Sequence, residues 1–167
     1  ALEFLLETEG VLPDIIVHLR PTGPIRRVEL IDQAIEMLLA DDTADSLRSV
    51  SLATESPFKM WLKDGKYMKP AATVPGRPEA HSTARQYLPL AYWQNGYVDV
   101  TRPKTVMEKS SMVGDTPLCF IVNEPKYEID YAGDVIAVEE ALRMMQETGK
   151  FPHESASEEL TEERHPV

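Results

Sequence analysis

The strongest constraint on the fold is a strand–turn–helix unit near the start of the chain. Ile15, Ile16 and Val17 form an apolar run suited to a buried strand over 14–19, which breaks at Arg20-Pro21-Thr22-Gly23-Pro24. The spacing then predicts a helix over 28–40, with Val28, Ile31, Ile35, Leu38 and Leu39 on one face and Glu29, Asp32 and Glu36 on the other. In open α/β sheets, ligands bind in the crevice outside the carboxyl ends of the strands. Arg20, Thr22 and Arg26 fall at such a place, and a hydroxyl with two guanidinium groups suits an anionic ligand. An ordinary connection carrying surface arginines has the same pattern.

The rest of the chain continues the alternation. Residues 1–10 read as the end of a helix, and Ser49–Ala53 as a strand with Val50 and Leu52 facing one way. Lys59–Lys63 and Lys66–Lys69 are expected to pair as a hairpin across Asp64-Gly65. Residues 70–84 form a long Pro/Ala/Gly/Thr-rich loop, functional or mobile. Tyr97–Thr101 reads as a strand, Pro103–Lys109 as a short helix opened by proline, and Leu118–Val122 as a buried strand. Asp134 is expected to cap a last helix, with Val135, Val138, Leu142 and Met145 on one face, that Gly149 ends. Strands alternating with helices predict an α/β fold with a largely parallel sheet.

Composition mainly excludes. At 167 residues, 43% of them hydrophobic, the chain is about one domain long and can bury a core. A net charge of −11 argues against general nucleic-acid binding. Five glutamates and one arginine from Phe151 onward carry part of it, and 151–167 reads as a disordered acidic tail. No apolar stretch approaches the ~20 residues that span a bilayer, so no membrane association is expected. The single cysteine, Cys119, sits in an apolar run; it excludes an intrachain disulfide, reads as a core residue and points to a reduced, cytoplasmic setting. The four histidines are scattered without zinc-ligand spacing. The chain opens with Ala1-Leu2-Glu3-Phe4, already inside an amphipathic pattern and without a capping residue, so further residues upstream are expected.

Three other segments carry chemistry. In Tyr127-Glu128-Ile129-Asp130, side chains two apart on an extended segment point the same way, so Glu128 and Asp130 can present two carboxylates to one cation. Acidic residues ahead of a helix also serve as capping or dipole partners. Lys59 in Ser56-Pro57-Phe58-Lys59-Met60-Trp61 sits among apolar residues, as a snorkelling surface lysine also does. Arg85 in Arg85-Gln86-Tyr87-Leu88-Pro89 can clamp a carboxylate or phosphate bidentately, and Asn95-Gly96 is also plain turn chemistry.

Taken in order, the segment from Pro13 to Arg26, Ser56-Pro57-Phe58-Lys59-Met60, Arg85-Gln86-Tyr87-Leu88-Pro89, Gln94-Asn95-Gly96-Tyr97-Val98 and Glu128-Ile129-Asp130 resemble the acylneuraminate cytidylyltransferases (CMP-sialic acid synthetases) over about residues 12–147. The resemblance implies a Rossmann-like nucleotide-diphospho-sugar transferase fold, with three α/β/α layers. It also implies an extended hairpin lobe at about 56–96 that exchanges between subunits of a homodimer. The implied reaction moves a cytidylyl group from CTP to an acidic sugar, sialic acid or a related nonulosonate, and releases pyrophosphate with Mg2+. By the same resemblance Asp130, Arg85 and Lys59 act in catalysis, and Arg20, Thr22, Gly23, Arg26, Gln86, Asn95 and Gly96 contact substrate. Glu128 and Asp130 would hold the magnesium. Attack on an α-phosphate develops charge that a metal and cationic side chains stabilise, and Arg20, Arg26, Lys59 and Arg85 can make an acidic protein locally positive.

The departures shape the expectation. The family's glycine-rich phosphate loop, of the form Ala-Arg-x-Gly-Ser-Lys, does not occur in these 167 residues. The chain by itself is therefore expected to be catalytically inert, and release of pyrophosphate from CTP would overturn that. The family's Thr-Ser-Pro has become Thr22-Gly23-Pro24, a glutamine has become Arg20, and an arginine before Asn95-Gly96 is gone. Asp99 displaces a tyrosine, and paired aspartates have become Glu128 and Asp130. The sugar-facing residues have drifted more than the frame. Two further readings stay open: a non-catalytic sugar-binding or dimerisation module, and a nucleotidyltransferase that uses another nucleoside triphosphate.

Overall fold

Helix α2 (Val28–Leu39) carries the stripe around which the main core of the computed structural model is built. The structure describes residues 1–125 and 127–151. Ala34 and Leu38 are fully buried, and Ile31 and Ile35 pack beside them against Ala44, Leu47, Val98 and Val100. These four helical positions follow the i, i+3, i+4, i+7 spacing of a single face. Val28 and Leu39, expected on that face, are 64% and 50% exposed. Val28 lies at the first position of the helix, ahead of the packed turns, and Leu39 is rotated about 100° from Leu38.

Around α2 the elements run α1 (Leu2–Glu9), β1 (Ile16–His18), β2 (Ser46–Leu52), β3 (Trp61–Asp64), β4 (Tyr67–Pro70), β5 (Tyr92–Thr101), α3 (Pro103–Lys109), β6 (Pro117–Ile121) and α4 (Asp134–Thr148). Proline opens α3, where its missing N–H costs nothing. Gly149, in the left-handed conformation at φ 69°, closes α4. Val138 and Ala141 of α4 join Ile25 in a second cluster with Tyr127, Ile129, Met145 and Phe151 beside it.

The fold is mixed α/β. Its four-stranded sheet has the order β1-β5-β2-β6. β1 pairs antiparallel with β5, with Ile16 opposite Thr101, Val17 opposite Val100 and His18 opposite Asp99. β5 is also antiparallel to β2: Val98 N donates to Ser49 Oγ, whereas Ala53 N donates to the Ala91 carbonyl, so the two strands advance in opposite senses. Among the described residues, β2 and β6 form the one parallel pair. The expectation of a largely parallel sheet is thus corrected. β1, β2 and β6 do run in a common direction, but β5 is inserted against them, because the chain that leaves β2 returns beside its own departure point. That pairing joins residues some forty positions apart, and local periodicity does not encode it.

β6 lies at a sheet edge and buries only one face. Leu118 and Phe120 turn toward the core, and Pro117, Cys119 and Ile121 are exposed. Cys119 is therefore an exposed thiol and not the expected core residue.

The chain divides into two compact units, Ala1–Ser49 with Gly96–Val167, and Val50–Asn95. The second holds the hairpin β3–β4, with Asp64 opposite Tyr67. Its two-residue turn is Gly65-Lys66, and Gly65 alone takes a positive φ of 60°, as the first central position of a type II′ turn requires. Among the described residues no helix is long and apolar enough to cross a membrane. The acidic segment 152–167 lies outside the described residues.

Candidate functional site

In the first unit the site grows from the turn after β1. Gly23 N donates to the Arg20 carbonyl at 3.2 Å, closing the turn. Arg26 then locks it: Nη2 donates to the Arg20 carbonyl at 2.6 Å, and Nε donates to the Tyr97 carbonyl on β5 at 2.7 Å. Burial lowers the Arg26 pKa from its ordinary value, and nearby Tyr97 works weakly the other way. With Nε and Nη2 committed to two backbone carbonyls, Arg26 braces the turn. Gly23 fits beneath it: a Cβ there would stand 3.1 Å from Arg26 Nη2. The Tyr97 hydroxyl accepts from Arg27 N at 2.6 Å, and burial is the main cause of its raised pKa.

Gly96 shows why a glycine stands there. Its φ of 68° belongs to the left-handed region, and a Cβ would lie 3.1 Å from both Cζ and Nη1 of Arg20. The Arg20 side chain rests across the glycine, and 39% of it stays exposed. Thr22 is exposed on the same turn. Its carbonyl accepts from Ile129 N at 2.7 Å, which ties the Glu128–Asp130 segment to the turn.

Residues 127–130 form no strand, so the period-2 alignment expected of Glu128 and Asp130 is not imposed by a sheet. Instead the Asp134 carboxylate accepts from the amides of Asp130 and Tyr131 at 2.9 and 2.8 Å, folding the segment back onto the start of α4. Glu128 is half-buried and Asp130 exposed. Among the described residues, no three His, Cys, Asp or Glu residues group as a metal cage. Magnesium does not require one: it takes one or two carboxylates together with substrate phosphates and water.

A row of charges that local pattern reading missed crosses the sheet at β5. Asp99 is 3% exposed, with Val98 and Val100 on either side of it in sequence fully buried. Its Oδ2 lies 3.2 Å from Nη1 of Arg48 on β2, 3.9 Å from Nδ1 of His18 on β1 and 4.0 Å from Nη2 of Arg20. The register explains this, since His18 faces Asp99 directly and Arg20 follows two residues later at the strand end. The available signal was an acid inside the apolar run Val98-Asp99-Val100, because buried carboxylates occur almost only with partners.

In the second unit Arg85 donates from Nη2 to the Ala53 carbonyl at 3.3 Å and to the Thr54 carbonyl. It lines a cleft of about 250 Å³ with Ser56, Leu52, Leu88 and Leu90. Lys59 Nζ lies 3.4 Å from the His81 carbonyl, and Gln86 is exposed. Asn95 Nδ2 donates to Ser51 Oγ at 2.8 Å, joining the interior of β5 to β2. The structure thus brings Arg20, Thr22, Gly23, Arg26, Gly96 and the Glu128–Asp130 segment together in one unit. Lys59, Arg85, Gln86 and Asn95 belong to the other.

No protein-family model and no curated protein matches the chain.

Proposed function

We propose that this chain forms the acidic-sugar side of a nucleotidyltransferase that moves a cytidylyl group from CTP to sialic acid or a related nonulosonate, releasing pyrophosphate. The observation that carries the reading is the junction at Arg20. A half-exposed guanidinium lies across Gly96, on a turn whose Thr22 carbonyl holds the segment bearing Glu128 and Asp130. That backbone tie supports reading the Arg20 turn, with a cation for a carboxylate, and the Glu128–Asp130 segment, with acids for a magnesium ion, as parts of one site. Glu128 and Asp130 are the residues that would hold Mg2+, which when bound offsets phosphate charge. Asp130, Arg85 and Lys59 are assigned to catalysis, and Thr22, Gln86 and Asn95 to substrate contact. The common direction of β1, β2 and β6 supports placing the sheet in the Rossmann-like nucleotide-diphospho-sugar transferase class.

The reading includes a homodimer formed through the second unit. No residue of β3 or β4 is buried, and Leu62, Tyr67 and Met68 are all more than half exposed. Trp61 packs on His81 with ring centroids 4.6 Å apart, but the exposed Leu62, Tyr67 and Met68 leave apolar surface on a two-stranded hairpin, which is marginal in water, and a partner surface would cover it.

Binding is the measurement that tests the sugar site, since the 167 residues contain no phosphate loop of the family's form. Calorimetric titration of the chain with N-acetylneuraminate is expected to show binding that Arg20→Ala weakens at least tenfold, the scale of one lost charged hydrogen bond. Absence of binding to any carboxylated sugar overturns the reading.

A further inference from the structure

We infer that Asp99 is a positioning residue that aims Arg20 at the carboxylate of the acidic ligand, and that the row His18–Asp99–Arg48 is the device that holds it there. The inference rests on the acidic-sugar reading of this turn and adds to it the part that makes it selective for an anion. Arg20 stands at the mouth of the row. Its Nη2 is 4.0 Å from Asp99 Oδ2, and Cζ and Nη1 lie against the open face of Gly96. Backbone on one side and a buried carboxylate on the other restrict a long, flexible side chain to one orientation, and its exposed edge still carries N–H donors in the forked geometry that suits a carboxylate.

The charge balance explains why Asp99 does not simply neutralise the site. Its Oδ2 faces two guanidinium groups, Arg20 and Arg48, with His18 as a third neighbour. The arginine of the pair that is deeper in the sheet, Arg48, is the closer at 3.2 Å and is 20% exposed; Arg20 is farther and 39% exposed. Within the row itself, two guanidinium groups face one carboxylate, and the geometry puts the excess of positive charge on the outer arginine. Arg48 Nη1 donates to Asp99 Oδ2 at 3.2 Å, so the inner arginine is both hydrogen-bonded and ion-paired to the carboxylate. A ligand carboxylate would complete the alternation of charges along the row. An uncharged sugar would not.

The test compares N-acetylneuraminate with its methyl ester, which keeps the sugar and removes the negative charge, on the full chain, on Asp99→Asn and on Arg20→Ala. The side-chain Nε–H signal of Arg20 in 15N spectra serves as a ligand-independent readout. The wild type is expected to prefer the acid over the ester by tenfold or more, and to show a sharp Arg20 Nε–H signal. Asp99→Asn is expected to broaden that signal and to cut the acid-to-ester ratio several-fold, while Arg20→Ala abolishes the preference. A purely structural role for Asp99 would weaken both ligands equally and leave the ratio unchanged, which overturns this inference alone. An Asp99→Asn chain that no longer folds is replaced by Arg48→Met, which is expected to move the same ratio; an unchanged ratio there has the same consequence. If the wild type binds neither compound, the acidic-sugar reading falls and this inference with it.

Discussion

At the scale of single residues, two glycines carry more than their size suggests. Gly96 provides both a left-handed backbone and the space that Arg20 occupies. Gly96→Ala is therefore expected to cost about 1–2 kcal/mol of stability through its φ alone. It should weaken N-acetylneuraminate binding tenfold or more by displacing Arg20, as calorimetry and urea unfolding of the same variant would show. Gly114, at φ 71°, is tighter still, because a Cβ there would overlap the Asp45 side chain. Gly114→Ala adds steric overlap to backbone strain, and its expected cost is about 2–5 kcal/mol by urea unfolding, with no selective effect on sugar binding. Residue identity alone exposes part of this: a glycine after Asn95 reads as turn or pocket, and Arg20 and Arg26 suit an anionic ligand. What distinguishes the two arginines is invisible locally. Arg26 is spent on the carbonyls of Arg20 and Tyr97, and Arg20 is not, a difference set by contacts with a strand seventy residues away.

At the scale of elements, the segments legible in the sequence were those whose signals are local. Pro103 and Gly149 marked a helix start and a helix end that the structure places where expected. The Asp64-Gly65 turn signal marks a hairpin whose first strand begins at Trp61, two residues later than expected, and whose turn is Gly65-Lys66. The sequence signal for β5 begins only at Tyr97, because the first three residues of the strand, Tyr92–Gln94, are exposed and lack an apolar alternation. Its place between β1 and β2 is a non-local fact. The C-terminus of α2 shows the same limit. No basic residue stands in its last turn, yet Arg102 reaches in from beyond β5: Nη2 donates to the carbonyls of Leu38 and Asp41 at 2.8 and 3.1 Å, and Nε to that of Ala44 at 3.0 Å. A cation there satisfies orphan carbonyls and complements the helix dipole. Arg102→Ala leaves these partly buried acceptors unpaired and is expected to cost about 2–4 kcal/mol. Hydrogen exchange should show the loss concentrated in the last turn of α2, in contrast to an exposed-surface control such as Lys104→Ala.

At the scale of the whole molecule, pH and association test how the parts hold together. Asp45 Oδ2 accepts from Lys109 Nζ at 2.7 Å and from the amides of Asp115 and Thr116, joining the start of β2 to the end of α3 and the approach to β6. The Lys109 contact is the largest cause holding the Asp45 carboxyl far below the usual carboxylate range, with the Asp115 amide next. Lys109 is correspondingly raised, by Asp115 first and Asp45 second. A depressed acid stabilises the fold above its unfolded pKa of about 3.9 and loses that contribution as pH falls toward its folded value. A raised lysine contributes below its unfolded pKa of about 10.4 and loses it as pH climbs through the folded value. The difference in urea midpoint between wild type and Asp45→Asn should therefore be flat from about pH 5 to 9 and narrow at both ends. Association is the second test, and net charge opposes it: −11 on each copy repels at long range, over a Debye length of about 10 Å at 0.1 M salt. An interface through the exposed apolar residues of the hairpin would gain from burial and suffer from that repulsion, so dimerisation should strengthen as salt rises. Sedimentation at increasing chain concentration is expected to move from 18.8 kDa toward twice that mass, more readily at high salt. Leu62→Glu, adding a charge at the centre of the hairpin, should hold the chain at the monomer mass without changing its helical signal by circular dichroism. A chain that stays monomeric at every salt concentration would remove the second unit from the dimer interface and leave the Arg20 turn to stand on binding data alone.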